Sequence, residues 1–364
     1  MFAKQVLELS DLKRMAGACE ALATANRWPV AFAIVDDGGH LLWLQRLDRA
    51  APISAEICVA KAKTAALGRR ESKVYEEMIN AGRVSFLSAP LLEGMLEGGV
   101  PIMVLEGAGI VTAVGDGVDF KPGDRVAYCD RPPGSYAQMR NMPAKSVVKV
   151  PDGIGLDTAA AMMLKGMTVE YLFHRTYEVK AGQTILFHAA AGGVGLIAMQ
   201  WAKALGLTVI GTVGSDEKAE LAKKHGCDYP IVYTRENFQQ RVMEITEGRG
   251  VPVVYDSIGK DTFQGSIDSL SPFGMFVSFG NASGPVPPVP LTALKGNLYL
   301  CRPSLMAHTA TRSTLEAMSS RLFDMVSSGK VSIEIDQRYE LKDAEQSHRD
   351  LESRKTTGST ILLP

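Results

Sequence analysis

The sequence predicts an α/β protein built on a doubly wound parallel sheet, and three observations predict it. Apolar runs of strand length alternate with helical patterns from Gln183 to Arg302. The runs are continuous rather than alternating, as in strands buried on both faces. The first run ends in a glycine-rich turn, "HAAAGGVGLIA", His188 to Ala198, where such a sheet places its nucleotide-binding loop. Bulk composition allows this fold: 364 residues suffice for two or three domains with cores, and 46% hydrophobic with 22% charged residues is ordinary for a globular protein. A formal net charge of -1, with no long run of like charge, gives no general attraction to nucleic acid or anionic lipid. The N-terminus "MFAKQVLELSDLKRM" lacks the apolar core of a signal peptide and no later run has the length of a membrane span, so a cytoplasmic protein acting on small molecules is expected.

Taken in order, the first hundred residues are expected to be α+β. "SDLKRMAGACEALATANRW" reads as a helix capped by Ser10, with Leu12, Met15, Cys19, Leu22 and Asn26 along one face. "VAFAIVD" and "HLLWLQR" flank Asp37-Gly38-Gly39 as a hairpin, and "SAEICVAKAKTAALG" is a second helix. The nucleotide-binding half has strands at "TILFH" from Thr184, "TVIGTV" from Thr208, "YPIVY" from Tyr229, "VPVVYD" from Val251, "GMFVSFG" from Gly274 and "NLYLC" from Asn297. Among the helices between them, "LIAMQWAKALG" lines up Ile197, Trp201 and Leu205 on one face.

Gly192, Gly193 and Gly195 do not form G-x-G-x-x-G. It is their place between a first strand and a helix that points to a pyrophosphate, because free amides and the helix dipole favour an anion there. NAD-preferring sites usually carry a carboxylate about 20 residues further on. Here the second strand ends Thr212-Val213-Gly214, followed by Ser215 and the cation Lys218, which favours NADP unless Asp216 or Glu217 turns inward. The cysteines, Cys19, Cys58, Cys129, Cys227 and Cys301, are too scattered for a structural zinc. Reduced, packed thiols and no bound metal are expected, with a single thiolate in a catalytic zinc site as the alternative.

Several motifs then carry a family resemblance. "GDRVAY", "AAAMMLKGMTVEYL", "FHAAAGGVGLIAMQWAKALG", "VVYDSIGKDTF", "VSFGNASG", "RPSL" and "LESRKTTGSTILLP" resemble the quinone oxidoreductases, the zinc-free zeta-crystallin branch of the medium-chain dehydrogenase/reductase superfamily, from about Glu106 to Pro364. The resemblance implies a GroES-like catalytic lobe beside the Rossmann domain, and NADPH-dependent reduction of quinones or related electron-poor enones. It implies that Gly193 and Val194 touch the pyrophosphate, and that Gly214, Ser215, Lys218 and Tyr233 bind the adenosine end around the 2'-phosphate. Gly280, Asn281 and Ser283 would lie beneath the cofactor, with Leu305 and Met306 near the nicotinamide. Thr168 and Tyr171 would sit beside the nicotinamide as the catalytic candidates, Tyr171 also as a cofactor contact and possible proton donor. Little is asked of side chains, since water can protonate the reduced quinone. His174 and His188 read as packed or capping residues. A homodimer paired through "NLYLC" is also implied.

Before residue 104 the chain instead resembles the small GlcG/HbpS-like family, sometimes described as haem-binding, through "VAFAIVDDGGHLLWLQRLDRA", "KAKTAALGRRES" and "LEGGVPIMV". The organisation expected is therefore a truncated GlcG/HbpS-like segment at 1-104, a GroES-like lobe at 105-155 and 305-364 that lacks its opening strands, and a Rossmann domain at 156-304. The seam, "GGVPIMVLEGAGIV", is expected to bring its two apolar runs together as adjacent strands. His40, the one histidine before it, is expected at a surface turn, so haem binding is not carried over. Two other readings stand beside the reductase: an NADPH-binding protein with little catalysis, and a GlcG/HbpS-like ligand-binding module fused to a reductase remnant.

Overall fold

The structure is a computed structural model that describes residues 7–69, 106–130, 135–352 and 358–364. The chain divides into two compact units, Met1–Met103 and Val104–Pro364. Among the described residues, no helix is long and apolar enough to cross a membrane.

The first unit contains α1 (Leu9–Ala25), β1 (Ala31–Val35), β2 (Leu41–Arg46) and α2 (Ile53–Gly68). The strands pair antiparallel, with Ala31 opposite Arg46. Their turn is closed by Asp36, whose carboxylate accepts from the amides of Gly38 at 2.9 Å and His40 at 2.8 Å. The His40 side chain is exposed at this turn, with Nδ1 3.0 Å from Asp36 Oδ2. The start of α1 differs from the expectation. Glu8 is the N-cap and the Asp11 carboxylate returns to its amide at 3.1 Å, so Ser10 lies inside the helix. The buried face is Leu12, Ala16 and Ala23, while Cys19 and Leu22 are exposed.

The second unit opens with β3 (Glu106–Ile110), β4 (Arg125–Cys129) and β5 (Val147–Lys149), an antiparallel sheet in that order. Next comes α3 (Leu156–Tyr171), which loosens into a π-helical turn at Leu172–Thr176. The alternating stretch then gives β6 (Thr184–Phe187), α4 (Gly193–Ala204), β7 (Thr208–Val213), α5 (Asp216–Lys224), β8 (Tyr229–Val232), α6 (Phe238–Ile245), β9 (Val251–Asp256), α7 (Phe263–Asp268), β10 (Leu270–Ser278) and β11 (Tyr299–Cys301). The chain closes with α8 (Leu305–His308), α9 (Arg312–Ser327), β12 (Ile335–Glu340), α10 (Ala344–Glu352) and β13 (Ser359–Leu363).

Strands β6 to β11 form one six-stranded parallel sheet in the order β11-β10-β9-β6-β7-β8. This is the doubly wound Rossmann arrangement. The winding reverses between β6 and β9, and the crevice at the carboxyl ends of those strands is where such sheets bind ligands. Strand β10 begins before the apolar run at Gly274, because Leu270 pairs with Val251 ahead of a bulge that ends at Met275. Val209, Ile210, Val253, Val254 and Tyr255 are wholly buried in the sheet, and Trp201 of α4 covers it with no exposed surface. Each such side chain contributes roughly 1.5–3 kcal/mol of burial.

The strands after the seam find partners within this unit. Every residue of β3 pairs with β4, from Glu106 opposite Cys129 to Ile110 opposite Arg125, and β12 pairs parallel with β13. The first apolar run of the seam, Gly98 to Val104, lies outside the described residues, and so does the whole of its GlcG-like "LEGGVPIMV" pattern.

Candidate active site

The turn from β6 into α4 is held tightly. Ala189 takes a positive φ of 56°, and the Gly192 amide donates to Ala189 O at 2.9 Å. A Cβ on Gly195 would stand 2.3 Å from Ala189 O and 2.5 Å from Ala190 O, both backbone atoms, so only glycine lets the helix come this close. The amides of Gly193, Val194 and Gly195 open the helix and have no partner within it, and together with the helix dipole they can hold a phosphate anion. Lys165 of α3 lies against this turn: a Cβ on Gly193 would meet its Cε at 3.0 Å, and its Nζ donates to Ser359 Oγ at 3.0 Å. Sequence reasoning missed Lys165. The available signal was a lone cation, in "MMLKGMT", on a helix whose Met162, Met163 and Met167 are all buried.

His188 forms the floor of the turn. It is wholly buried, with Nδ1 2.9 Å from Thr212 Oγ1 and Nε2 2.9 Å from Ser266 Oγ. Ser266 and Thr262 in turn donate to Asp256, whose other carboxylate oxygen accepts from the amides of Ile258 and Gly259. Burial pushes the His188 imidazole below its usual range. A neutral, fully bonded imidazole joins the end of β6 to β7 and α7 and is packed, as expected.

At the end of β7 the predicted adenosine-end residues come together. Ser215 caps α5, its hydroxyl accepting from the Lys218 amide at 3.4 Å. The Tyr233 amide donates to Val213 O at 3.1 Å, and a Cβ on Gly214 would meet the Tyr233 hydroxyl at 3.0 Å. The two nearby acids each have a partner, Asp216 in the loop after β8 and Glu217 at Ser215 itself. Asp216 is gripped by Arg235 through two contacts of 2.5 and 2.6 Å, and the Ser215 hydroxyl bonds Glu217, lowering its pKa.

Across the crevice, the loops after β9 and β10 are laced together. A Cβ on Gly280 would stand 2.7 Å from Ser257 O, and one on Gly259, at a φ of +93°, would stand 2.4 Å from Gly284 O. The Ser283 hydroxyl donates to Ile258 O at 2.9 Å and accepts from the Asp261 amide at 3.1 Å, so it joins the loops, while Asn281 is exposed.

The catalytic candidates lie at the end of α3. Thr168 Oγ1 donates to Leu164 O at 2.7 Å. The Tyr171 ring stacks on His308 of α8, centroids 4.7 Å apart and planes 12° from parallel. Burial pushes the Tyr171 phenol up to about 12, although a hydrogen bond with Thr168 and the charge of Arg302 oppose the shift. Leu305 is buried and Met306 half-buried on the same short helix. His308 is a neighbour that sequence reasoning did not single out; its place in "LMAH", three residues after Leu305, was the signal. Next to Tyr171 in the helix, the wholly buried Glu170 is paired with Arg175 at 3.0 Å and with Arg321, fixing α3 to α9.

Known proteins match this unit closely. The quinone oxidoreductase of Pseudomonas aeruginosa is 53% identical over 262 residues, covering 71% of this chain and 81% of that protein. The chain belongs to the quinone oxidoreductase family. It is an oxidoreductase. Quinone oxidoreductase 1 of Escherichia coli is 49% identical over 264 residues, and 2-haloacrylate reductase of a Burkholderia species is 45% identical over 277 residues, covering 74% of this chain and 83% of the relative. The crystal structure of E. coli quinone oxidoreductase complexed with NADPH matches with a TM-score of 0.71 at 46% identity, over 79% of this chain and 88% of that one. The zinc-binding dehydrogenase family matches residues 193–323, and the haem degrading protein HbpS-like family matches residues 7–118. The latter match extends past residue 104, where the GlcG-like pattern ends in the sequence.

Among the described residues of the chain, no three His, Cys, Asp or Glu side chains cluster as metal ligands. Burial raises the thiol of Cys129 and pushes that of Cys227 up to about 12, so both rest as packed, protonated thiols.

Proposed function

We propose that this enzyme transfers a hydride from NADPH to quinones or related electron-poor enones without zinc. The observation that carries the reading is an intact anion-binding turn at the switch point of the sheet, in a chain about half identical to quinone oxidoreductases. The residues fit the cofactor: the Gly195 contact brings the α4 amides to the crevice, and Lys165 adds a positive charge beside them. Gly193 and Val194 bind the pyrophosphate; Gly214, Ser215, Lys218 and Tyr233 surround the 2'-phosphate; Gly280 and Asn281 lie beneath the cofactor, with Ser283 bracing their loop. Leu305, Met306, Thr168 and Tyr171 orient the nicotinamide. When bound, NADPH supplies the hydride, and the side chains contribute orientation and exclusion of water. Tyr171 positions more than it protonates, because a phenol at about 12 gives up its proton reluctantly.

The name of one relative, 2-haloacrylate reductase, favours including electron-poor alkenes among the acceptors. Zinc independence rests on the missing ligand cluster among the described residues. A homodimer through β11 is supported by its edge position, which leaves Tyr299 and Leu300 exposed beside β10, its one strand neighbour among the described residues. Free, scattered cysteines favour a cytoplasmic setting.

The test is to follow NADPH fluorescence as the full chain is added, and then its oxidation on adding benzoquinone. Saturable binding and quinone-dependent oxidation are expected. Binding without oxidation would replace this reading with a nucleotide-binding protein, and absence of binding would leave the GlcG/HbpS-like module as the working part.

A further inference from the structure

We propose that Arg235 sets the cofactor preference of the enzyme by masking Asp216, a specificity role that rests on the NADPH reading above. Asp216 is the first residue of α5, beside Ser215 at the end of the second strand of the doubly wound sheet. An NAD-binding site uses a carboxylate in this region to accept from the ribose hydroxyls. Left free, the same carboxylate would repel a 2'-phosphate held by Ser215, Lys218 and Tyr233. The protein thus carries the acid of an NAD site on the rim of an NADP site.

Arg235 resolves the conflict. Its Nη1 lies 2.6 Å from Asp216 Oδ2 and its Nη2 2.5 Å from Oδ1, so both carboxylate oxygens are occupied and turned toward the loop after β8. This two-point fork suits guanidinium and would not be reproduced by lysine. Asp216 is held below the usual carboxylate range by this partner, so the acid is ionised and its charge must be neutralised from outside. Among the described residues Lys218 has no ion-pair partner, which leaves its ammonium for the phosphate.

The fork is not what holds the two loops together. Both side chains are more than half exposed, at 67% and 56%, where ion pairs add little to folding. The same loops are already joined by the Tyr233 amide to Val213 O at 3.1 Å and by Thr234 Oγ1 to Gly214 O at 3.4 Å. What the pair changes is the charge seen by a ligand at the rim.

The experiment measures calorimetric dissociation constants of 2'-phospho-AMP and AMP with the full chain, the wild type and the variants Arg235→Ala, Asp216→Ala and Arg235→Ala/Asp216→Ala. Wild type should prefer 2'-phospho-AMP. Arg235→Ala should lose on the order of tenfold of that preference. The double variant should regain it to within about twofold of wild type, because the Asp216 carboxylate is gone and Glu217 keeps its bond from the Ser215 hydroxyl in all four proteins. A double variant that stays at the level of Arg235→Ala would overturn the proposal, since Arg235 would then act on the phosphate or the loops directly. An unchanged Arg235→Ala would also overturn it. If wild type itself shows no preference for the 2'-phosphate, the NADPH reading fails first and takes the masking role with it. NADPH and NADH titrations of the same four proteins should give the same order.

Discussion

The six-stranded sheet and the N-terminal hairpin are built from equally apolar sequences but close in different ways. In the sheet, parallel strands are covered on both faces, and Val209, Ile210, Val253 and Val254 have no exposed surface. In the first unit no residue of β1 or β2 is fully buried, and Leu22, Trp28, Leu41, Leu44 and Ile53 are exposed. Among the described residues, that unit sets one two-stranded ribbon against two helices, whereas the sheet has helices on both faces. A chemical site can be built where backbone is fixed to within tenths of an ångström, and that condition is met at the carboxyl edge of the sheet.

The sharpest way to break this comparison is a matched pair of glycine substitutions. Gly195→Ala drives a Cβ into two backbone oxygens, whereas Gly17→Ala on α1 meets nothing within 4 Å. The first should weaken NADPH binding about 100-fold or more and lower stability by about 1–3 kcal/mol. The second should leave binding unchanged and add up to about 1 kcal/mol through helix propensity. Fluorescence titration and thermal denaturation of both variants measure the contrast; equal effects would erase it.

Next in size is Lys218→Ala. A charge-assisted contact to the 2'-phosphate predicts about a tenfold loss for NADPH and less than about twofold for NADH. Equal losses in the two titrations would count against the phosphate role.

A smaller effect is expected from Tyr171→Phe, which keeps the stack on His308 and removes only the hydroxyl. Quinone turnover should fall less than about tenfold, below the range of a dedicated general acid. Because the phenol stays protonated until pH approaches about 12, kcat of the wild type should show no loss up to pH ~10 from this group. A steep fall near neutrality that vanishes in Tyr171→Phe would make the phenol a proton donor after all.

Much of the nucleotide half was legible because period, length and turn chemistry agreed there. The runs from Thr184, Thr208 and Val251 fold as β6, β7 and β9, and the glycine turn opens α4 where expected. Legibility failed where a partner at long range decided the outcome. Lys165 lies beside Gly193 only because α3 packs against α4, and His308 meets Tyr171 because a short helix returns after β11. The fate of Asp216 depended on Arg235, 19 residues away in the sequence and in another loop. In α1 the error was local: Glu8 took the cap from Ser10 because Asp11 could answer it, and the buried face ran through Leu12, Ala16 and Ala23 instead of Leu22.

The central claim, that the carboxyl edge of the six-stranded sheet directs a hydride from bound NADPH to a quinone, is tested most directly with NADPH deuterated on one or the other face of nicotinamide C4. After quinone-dependent oxidation by the full chain, mass spectrometry of the NADP product should show deuterium lost from one epimer and retained from the other. Equal retention from both epimers, or no oxidation of either, would contradict it.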